Sequence, residues 1–176
     1  MKLPRMLALF VAITTIGCSS VSVMYDYDAQ FDFASLKVYD WMAKPSGVST
    51  RMGFFDERVT HAVNSQLAAK GYEGESTNPD FLIAYHVGVR DRINVQDWGY
   101  NYGPRGYPLD RDISVQQYTQ GTLILDFVDP KTKQLIWRGT AQGVVDPGSS
   151  PETKEEKVNE AVSRILEKFP PLAQTR

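Results

Sequence analysis

Apolar and polar residues alternate along several short stretches of this chain, and such alternation predicts half-buried β-strands. The pattern occurs at residues 21–27, 37–42 and 81–89. In the first stretch, the alternation predicts that Tyr25 and Tyr27 face the core. We therefore expect at least three strands outside the hairpin described next.

The clearest pair of strands comprises residues 118–128 and 135–144. The segment between them begins with Asp129-Pro130, a dipeptide that favours a turn. Strands joined by a short turn pair antiparallel. We therefore predict an antiparallel hairpin in the second half of the chain.

Two further stretches repeat with the period of an α-helix. The first lies between Gly53 and Gly71, and Gly71 is a good helix stop. The second begins at Pro151 and ends before Pro170. Each has one apolar stripe and one polar face, which predicts two amphipathic helices. The stripes comprise Phe55, Val59, Ala62, Val63 and Leu67 in the first helix, and Val158, Ala161, Val162, Ile165, Leu166 and Phe169 in the second.

These elements predict an α+β fold, with a mainly antiparallel sheet and two amphipathic helices packed on one face. The regular alternation of strand and helix that a doubly wound parallel sheet requires does not occur. Residues 18–176 contain neither an internal repeat nor a linker at which the chain would divide. We therefore expect them to form a single domain.

The first 17 residues have the three parts of an export signal. Lys2 and Arg5 supply positive charge, residues 7–13 form an apolar core, and Gly17 is a small residue at the expected cleavage point. A membrane-spanning helix needs about 20 apolar residues, and this core is shorter. Residues 1–17 are therefore predicted to be a signal peptide that is removed.

The only cysteine of the chain, Cys18, follows this leader directly. The order Thr15, Ile16, Gly17, Cys18 resembles the bacterial lipobox, in which the cysteine is acylated and becomes the mature N-terminus. The resemblance implies lipidation at Cys18, and several acyl chains such as palmitate would hold the protein to a membrane. By resemblance to lipoprotein sorting in Gram-negative bacteria, Ser19 implies the outer membrane, facing the periplasm. The alternative is an incidental cysteine inside a conventional signal.

Composition and charge narrow the classes of function. The chain has 19 basic and 21 acidic residues and a formal net charge of -2, which argues against a nucleic-acid partner because phosphate binding needs a concentrated basic patch. A hydrophobic content of 42% and an aromatic content of 11% indicate a folded chain. Phosphate-binding motifs of the types GxxxxGK[ST] and GxGxxG are absent, so no cofactor is predicted.

The order of motifs after the leader resembles one bacterial family over nearly the whole mature chain. The stretches are YDYDAQFDF, VYDW, LAAKGY, NPDFLIAYHVGV and YTQGTLILDFVDPKTKQLIWRGTA, followed by a last helix ending in FPP. This order is similar to that of the bacterial lipoprotein family named domain of unknown function 4136 (DUF4136). The resemblance implies an envelope lipoprotein of unestablished activity and carries no catalytic residue onto this chain.

Catalytic and metal-binding residue types are few. Nucleophilic catalysis needs a base beside a serine or cysteine, and we interpret the two histidines, His61 and His86, as ordinary helix-edge and sheet residues. These histidines and one cysteine cannot supply the four ligands of a zinc site. Asp26, Asp28 and Asp32 come at the short spacing of a calcium loop, but alternation predicts that the first two simply face solvent. No metal is therefore predicted.

The most unusual stretch, residues 97–107, concentrates aromatic side chains among glycines and a proline. It lies within residues 91–117, which we interpret as a long loop. Aromatic faces with polar groups bind proteins or glycans, and the alternative is a hairpin tip whose aromatics pack on their own domain. The candidate binding residues are Trp98, Tyr100, Tyr102, Arg105 and Tyr107.

Three functional hypotheses remain open. The leading one is a lipid-anchored module, held to the membrane by its N-terminal lipid, that binds or supports another envelope protein or a glycan. The second is an enzyme acting on envelope glycan or lipid through paired carboxylates, with Asp97, Asp110 and Asp112 as candidates. The third is a purely structural or stress-related lipoprotein. A deep cleft with two carboxylates would favour the enzyme, whereas an exposed apolar patch would favour the binding module.

Overall fold

The computed structural model describes residues 21–42, 53–74, 76–102 and 108–171. Five strands form one sheet in the order β1-β5-β4-β3-β2, in which only β2 and β3 pair parallel. The predicted α+β fold with a mainly antiparallel sheet and two helices is confirmed. The elements are β1 (Ser22–Tyr27), β2 (Tyr39–Trp41), α1 (Gly53–Ala69), β3 (Phe81–Tyr102), β4 (Pro108–Val128), β5 (Leu135–Val144) and α2 (Pro151–Leu166), with a 3-10 turn at Phe33–Ser35.

Both predicted helices are confirmed, and their apolar stripes are the faces that are buried. The hydroxyl of Ser150 caps α2 by accepting a hydrogen bond from the Thr153 N–H, and Pro151 occupies the first turn, where its missing N–H costs nothing. In α1, Val59, Val63 and Leu67 are fully buried. The two helices lie side by side over the same face of the sheet, and the core forms between them and the strands.

The side chains on the helix-facing side of the sheet become smaller from one end of the strands to the other. Strand pairing aligns them in rows of neighbours across β3, β4, β5 and β1. The rows, in order, are Ile83, Phe127, Trp137 and Tyr27; then Tyr85, Leu125, Gly139 and Tyr25; then Val87, Leu123, Ala141 and Val23; and finally Val89, Gly121 and Gly143.

The end with the large side chains is an aromatic cluster. Phe169, which follows α2, lies with its ring centroid 4.6 Å from that of Phe127 and 5.3 Å from that of Trp137. Tyr72, which follows α1, stacks against the same Phe169 ring at 5.5 Å, and burial raises the pKa of its phenol. Both helices therefore converge at this end on one set of rings.

Polar contacts fix α1 over β2 and β3. The side-chain oxygen of Asn64 accepts hydrogen bonds from the Tyr39 hydroxyl at 3.0 Å and from the Trp41 indole at 3.1 Å. About two turns nearer the start of the helix, Asp56 accepts a hydrogen bond from the Tyr85 hydroxyl. These contacts set the distance between α1 and the sheet.

Strands β3 and β4 are much longer than the sequence predicts. Their pairing continues from Leu82 opposite Val128 to Tyr102 opposite Pro108, whereas β5 accompanies β4 only as far as Gln120. The two strands therefore continue past the sheet as a two-stranded arm, residues 91–102 and 108–119, about 40 Å long at about 3.3 Å per residue. The predicted loop at residues 91–117 is wrong for the described part of that span, since the backbone there is strand.

One detail of the first strand also differs from the prediction. Tyr25 belongs to the helix-facing rows, as expected, but it is 49% exposed because β1 forms the edge of the sheet. Its ring stacks on that of Tyr27 with the centroids 6.3 Å apart.

In the described part of the chain, neither helix combines the length and the apolar character that crossing a membrane requires.

Candidate functional site

A cavity of about 480 Å³ lies between the helices and the sheet at the end with the small side chains. This volume falls within the range of about 300 to 1,000 Å³ that small-molecule sites occupy. The floor consists of the last two rows of the sheet, where the side chains are smallest. Its residues are Val87, Val89, Gly121, Leu123, Ala141 and Gly143.

Two paired glycines on adjacent strands form part of the cavity floor. Gly121 on β4 pairs directly with Gly143 on β5, so two neighbouring positions of the floor have no side chain. A Cβ atom on Gly121 would lie 2.7 Å from the Cγ1 atom of Val145, whereas one on Gly143 would make only an ordinary contact with Val21 at 3.5 Å. The Val145 side chain therefore occupies part of the space beside Gly121, and the surface above this glycine pair is apolar.

The first turn of α1 and the middle of α2 form the walls. Phe54 and Phe55 of α1 line one side, and Val158 and Ala161 of α2 line the other. Helix α1 begins at Gly53 and α2 at Pro151, so both helices start at the cavity and end at the aromatic cluster. The layer between the helices and the sheet is thus filled by aromatic rings at one end, and the cavity is its open end.

The mouth of the cavity exposes large apolar side chains. Phe54 is 78% exposed, Val89 is 61% exposed and Val144 is 51% exposed, and all three line the cavity. Apolar side chains exposed together around a concave site mark a surface that contacts a partner, a ligand or a membrane. This patch is continuous with the apolar interior of the cavity.

Three cationic side chains lie around the apolar lining. Arg58 of α1 and Lys154 and Lys157 of α2 are half-buried and contribute to the wall. The salt bridges found among the described residues lie elsewhere, on the sheet, and involve neither lysine. Half-buried cations of this kind bury their methylene stems and keep their charges at the water boundary. The rim can therefore bind an anionic group.

Acidic groups near the rim are fewer. Asp146 is the carboxylate among the described lining residues, and its Oδ1 atom accepts a hydrogen bond from the Gly148 N–H at 2.8 Å. The carboxylate of Glu152 lies close enough to Arg58 to feel its charge, and the Ser150 hydroxyl is the main reason why the pKa of Glu152 is below its usual value. The lining itself has a net positive charge.

The beginning of β1 lies at the same cavity. Val21 lines it, and the backbone carbonyl of Val21 accepts a hydrogen bond of 3.5 Å from Arg164 of α2. Cys18, the predicted lipidation site, lies outside the described residues but only three positions before Val21. Three residues span at most about 10 Å, so the sequence holds Cys18 within that distance of the cavity wall.

The aromatic residues predicted as a binding loop lie along the arm. The backbone of Trp98, Tyr100 and Tyr102 belongs to β3, with Tyr100 opposite Arg111 and a break in the register between Asp97 and Tyr100. Arg105 and Tyr107 lie outside the described residues.

The carboxylates proposed for an enzyme also lie on the arm. Asp97 pairs with Ile113, and Asp110 pairs with Asn101, so these positions belong to a two-stranded ribbon that projects beyond the sheet. Asp112 lies between them on β4. The cavity is formed by other residues, at the base of the arm.

The face of the sheet opposite the helices has one buried ion pair. Asp126 is 5% exposed and receives two hydrogen bonds from Arg138, from Nε at 2.5 Å and from Nη2 at 2.6 Å. This contact raises the pKa of the Arg138 guanidinium. His86, on the exposed surface, places its Nε2 atom 3.4 Å from the same carboxylate. The group neutralises a buried charge within the sheet, and it has no adjacent nucleophile among the described residues.

The other residues considered for chemistry have local roles. His61 is exposed on α1. Asp28 and Asp32 each accept a hydrogen bond from the backbone N–H two residues later, and Asp26 is exposed on the edge strand. Among the described residues, no three His, Cys, Asp or Glu side chains come together as a metal site would require.

Sequence reasoning did not find the cavity. Its residues belong to three strands, two helices and the segments just before β1 and α2, and those in strands and helices were assigned correctly without any sign of the space between them. One signal was available, since Gly121 and Gly143 both interrupt strands of a predicted hairpin. A glycine within a strand indicates a close approach or a gap. A register shift between Phe127 and Val128 then sets these two glycines opposite each other.

Solved structures with similar folds belong to proteins of very different sequence. A PDZ domain protein from Parabacteroides distasonis is similar with a TM-score of 0.57 and 11% identity over 86% of this chain. This chain spans 35% of that protein's length, and the likeness concerns the fold alone.

Two weaker likenesses have lower scores. The PelC dodecamer from Paraburkholderia phytofirmans has a TM-score of 0.45 and 12% identity, with 83% of this chain and 94% of that chain covered. A putative neuraminyllactose-binding hemagglutinin homolog from Helicobacter pylori has a TM-score of 0.40 and 14% identity, with 79% and 88% covered. No curated protein matches this chain.

One family matches almost all of the folded part. The match covers residues 23–171, from the first strand to the residues after α2, and includes every element that forms the cavity and the arm. The chain therefore belongs to the family described as a domain of unknown function, DUF4136.

Proposed function

We propose that this protein is a lipid-anchored binding module of the bacterial cell envelope and that the apolar cavity is its binding site. The observation that carries the proposal is the cavity itself, a space of about 480 Å³ that opens through exposed apolar side chains. A concave apolar site with a few charged groups at its edge is the usual form of a ligand site.

The predicted anchor would hold this site close to a membrane. Lipidation at Cys18 would attach the chain within about 10 Å of Val21, which lines the cavity. With the lipid in the outer membrane and the domain facing the periplasm, the mouth of the cavity would lie near the membrane surface. The position of β1 thus supports a ligand that is found at or near that surface.

The arm is proposed as a second contact, for another envelope protein or a glycan. An isolated two-stranded ribbon is at best marginally stable in water, and the arm continues for ten paired positions beyond the sheet. Exposed apolar side chains at its base, including Ile93 at 63% exposure, add to the contact surface. A partner that packs along the arm would stabilise it, and the aromatic segment near residues 97–107 would lie within that interface.

The enzyme hypothesis is less well supported. Acid and base catalysis by two carboxylates needs both groups across a cleft from each other. Asp97, Asp110 and Asp112 lie instead on a ribbon of two strands, and the described lining of the cavity contains a single carboxylate, Asp146. The geometry therefore favours binding over catalysis.

The binding site is tested by adding an apolar dye to the purified full chain. The fluorescence of this dye increases when it moves from water into apolar surroundings. We expect saturable binding that is lost in Ala161→Trp, because an indole on the α2 wall fills the cavity. Lys168→Trp places the same side chain on the exposed surface after α2 and is the matched control. Equal dye binding by both variants would contradict the proposed site.

The anchor is tested separately in cells by labelling with an alkyne fatty acid. The unchanged protein is expected to incorporate the label and to fractionate with the outer membrane. Cys18→Ser is expected to lose the label, because it removes the thiol that is acylated, whereas Ser19→Ala is expected to keep it. Label that persists in Cys18→Ser would contradict lipidation at this residue.

A further inference from the structure

We infer that the cavity binds one acyl chain of an anionic membrane lipid, with the acidic head group held by the cations at its mouth. This inference rests on the proposed function and names the ligand class of the same site. Three features of the described residues carry it: the shape and chemistry of the interior, the charge of the rim and the position of the mouth.

The interior suits a hydrocarbon chain better than a polar ligand. Strand side chains that face it are aliphatic or absent, and the α2 wall adds Val158 and Ala161. A polar ligand buried there would lose hydrogen bonds to water that these groups cannot replace, whereas an acyl chain has none to lose. The pairing of Gly121 with Gly143 leaves two positions of the floor without side chains, and Val145 packs beside Gly121, so the floor there remains apolar.

The rim selects the head group by charge. Lys154 and Lys157 stand one turn apart on α2, and Arg58 faces the same cavity from α1. An arginine and lysines around an apolar opening are suited to a phosphate or carboxylate, since they donate charge-assisted hydrogen bonds from several directions. Asp146 is the opposing charge in the lining, so the balance at the mouth favours an anion.

The mouth provides a route from the bilayer. Phe54, Val89 and Val144 are exposed around the opening, and such side chains partition into the boundary between head groups and acyl chains. A lipid that slides between them keeps its chain in apolar surroundings throughout, so it need not pass through water. In a protein held at a membrane, these exposed apolar side chains would contact lipid instead of water, so the apolar mouth would not be unfavourable.

The protein's own acyl chain is the other occupant within reach, because Cys18 lies three residues before Val21. An acylated N-terminal cysteine carries no acidic head group, however, and Asp146 is the one carboxylate in the described lining to offset Lys154, Lys157 and Arg58. The charge of the rim therefore favours a separate anionic lipid over the protein's own chain.

The test uses the full-length protein, isolated with its own anchor and reconstituted in phosphatidylcholine vesicles. One preparation contains phosphatidylglycerol with a photoreactive diazirine near the end of one acyl chain, and the other contains phosphatidylcholine with the same diazirine. After irradiation, mass spectrometry locates the adducts. We expect adducts on the cavity-lining segments around Val87, Leu123 and Ala161, several-fold more abundant with the anionic probe.

Two kinds of variant test separately how the acyl chain and the head group of the lipid contribute to binding. Ala161→Trp fills the cavity and is expected to abolish adducts on the lining, with Val87→Phe as a second filling variant should the first fail to fold. The pair Lys154→Glu with Lys157→Glu is expected to remove the preference for the anionic probe. Lys131→Glu with Lys168→Glu changes the net charge equally at exposed positions away from the cavity and is expected to leave the preference intact. Circular dichroism and thermal unfolding show whether each variant is folded.

Each other outcome overturns the inference. Equal labelling by the two probes would remove the role of the anionic head group. Adducts confined to Phe54 and insensitive to cavity filling would indicate simple adsorption to the bilayer. Adducts on the lining that appear only after Cys18→Ser would assign the cavity to the protein's own acyl chain. In all three cases, dye binding lost in Ala161→Trp would still support the proposed binding site, so the two proposals fail separately.

Discussion

The two ends of the layer between the helices and the sheet are built from the same strands and helices, yet they differ in what fills them. At one end the rings of Phe127 and Phe169 lie 4.6 Å apart and close the core. At the other end Gly121 of β4 pairs with Gly143 of the neighbouring strand β5, and a cavity of about 480 Å³ remains. A single architecture thus combines a densely packed end with an open one.

The difference separates stability from binding. Aromatic side chains bury large areas and pack with defined geometry, so the closed end contributes much of the free energy of folding. The open end forgoes part of that burial, because an empty apolar space lacks the contacts that side chains would make. A ligand can supply those contacts and thereby stabilise the protein.

The largest effect is expected from truncating a ring at the closed end. Phe169→Ala removes a fully buried side chain that contacts five other rings, those of Phe33, Tyr72, Phe81, Phe127 and Trp137, and it should lower the free energy of unfolding by about 3 to 5 kcal/mol. Phe54→Ala makes the same chemical change at the mouth, where the side chain is 78% exposed, and should cost less than about 0.5 kcal/mol. Urea unfolding measures both, and similar losses for the two variants would contradict the division between the ends.

A smaller effect is expected from adding a methyl group. In Gly139→Ala the new Cβ would lie 2.4 Å from side-chain atoms of both Ile165 and Trp137, so the helix and the ring must move, at a cost of about 1 to 3 kcal/mol. Gly143→Ala, on the cavity floor, places its Cβ 3.5 Å from Val21 and should change stability little. Thermal unfolding of the two alanine variants compares them directly. A Gly143→Ala variant as unstable as Gly139→Ala would show that the open end is as tightly packed as the closed one.

Filling the cavity should cost little stability although it abolishes binding. Ala161→Trp directs its ring into existing space, so we expect a change within about 1 kcal/mol of zero, compared with about 1 to 3 kcal/mol for overpacking a dense core. The measurement is urea unfolding of the ligand-free protein, in parallel with the dye titration. A large loss of stability, with the fold otherwise intact, would indicate that the cavity is smaller in solution than in the structure.

The same two ends differ in how well the sequence predicts them. The stripe of α2 from Val158 to Phe169 is buried as predicted, because the helical period and the apolar surface specify the same face. The hairpin of β4 and β5 is also predicted with its turn at Asp129-Pro130, since the signals for strand, turn and strand are adjacent in sequence. Local patterns of this kind are sufficient for the closed end.

The cavity and the arm depend on relations that no local pattern contains. The cavity arises from the register that sets Gly121 beside Gly143, together with the distance at which Asn64 and Asp56 hold α1. Along the arm, Asp91 and Thr119 occur at the positions that continue the helix-facing rows, where a half-buried strand would have apolar side chains, and no described helix covers that part of the ribbon. This part of β3 is extended because it pairs with β4, and not because it is buried. Its sequence therefore resembles a loop.

The smallest predicted effect compares two Asp-Pro turns, one at each end. Asp129, beyond the closed end, accepts backbone hydrogen bonds from Lys131 at 2.7 Å and Thr132 at 3.3 Å, and the first of these is the main reason why its pKa is below the usual value. Asp146, beside the cavity, accepts one such bond, from Gly148. Because both carboxylates remain accessible to water, Asp129→Ala should cost at most about 1 kcal/mol, and Asp146→Ala less.

The pH dependence of the Asp129 effect follows from the direction of its pKa. A carboxyl group with a lower pKa in the folded state stabilises the protein above the unfolded-state value of about 3.9, and this stabilisation is lost as the pH falls through the folded-state pKa. The difference in unfolding free energy between the unchanged protein and Asp129→Ala should therefore be constant from pH 7 to about pH 5 and decrease below about pH 4. Urea unfolding across this range measures it. A difference that stays the same below about pH 4 would mean that Asp129 supports the turn through packing. The hydrogen bonds to its charged carboxylate would then contribute nothing to the stability of this turn.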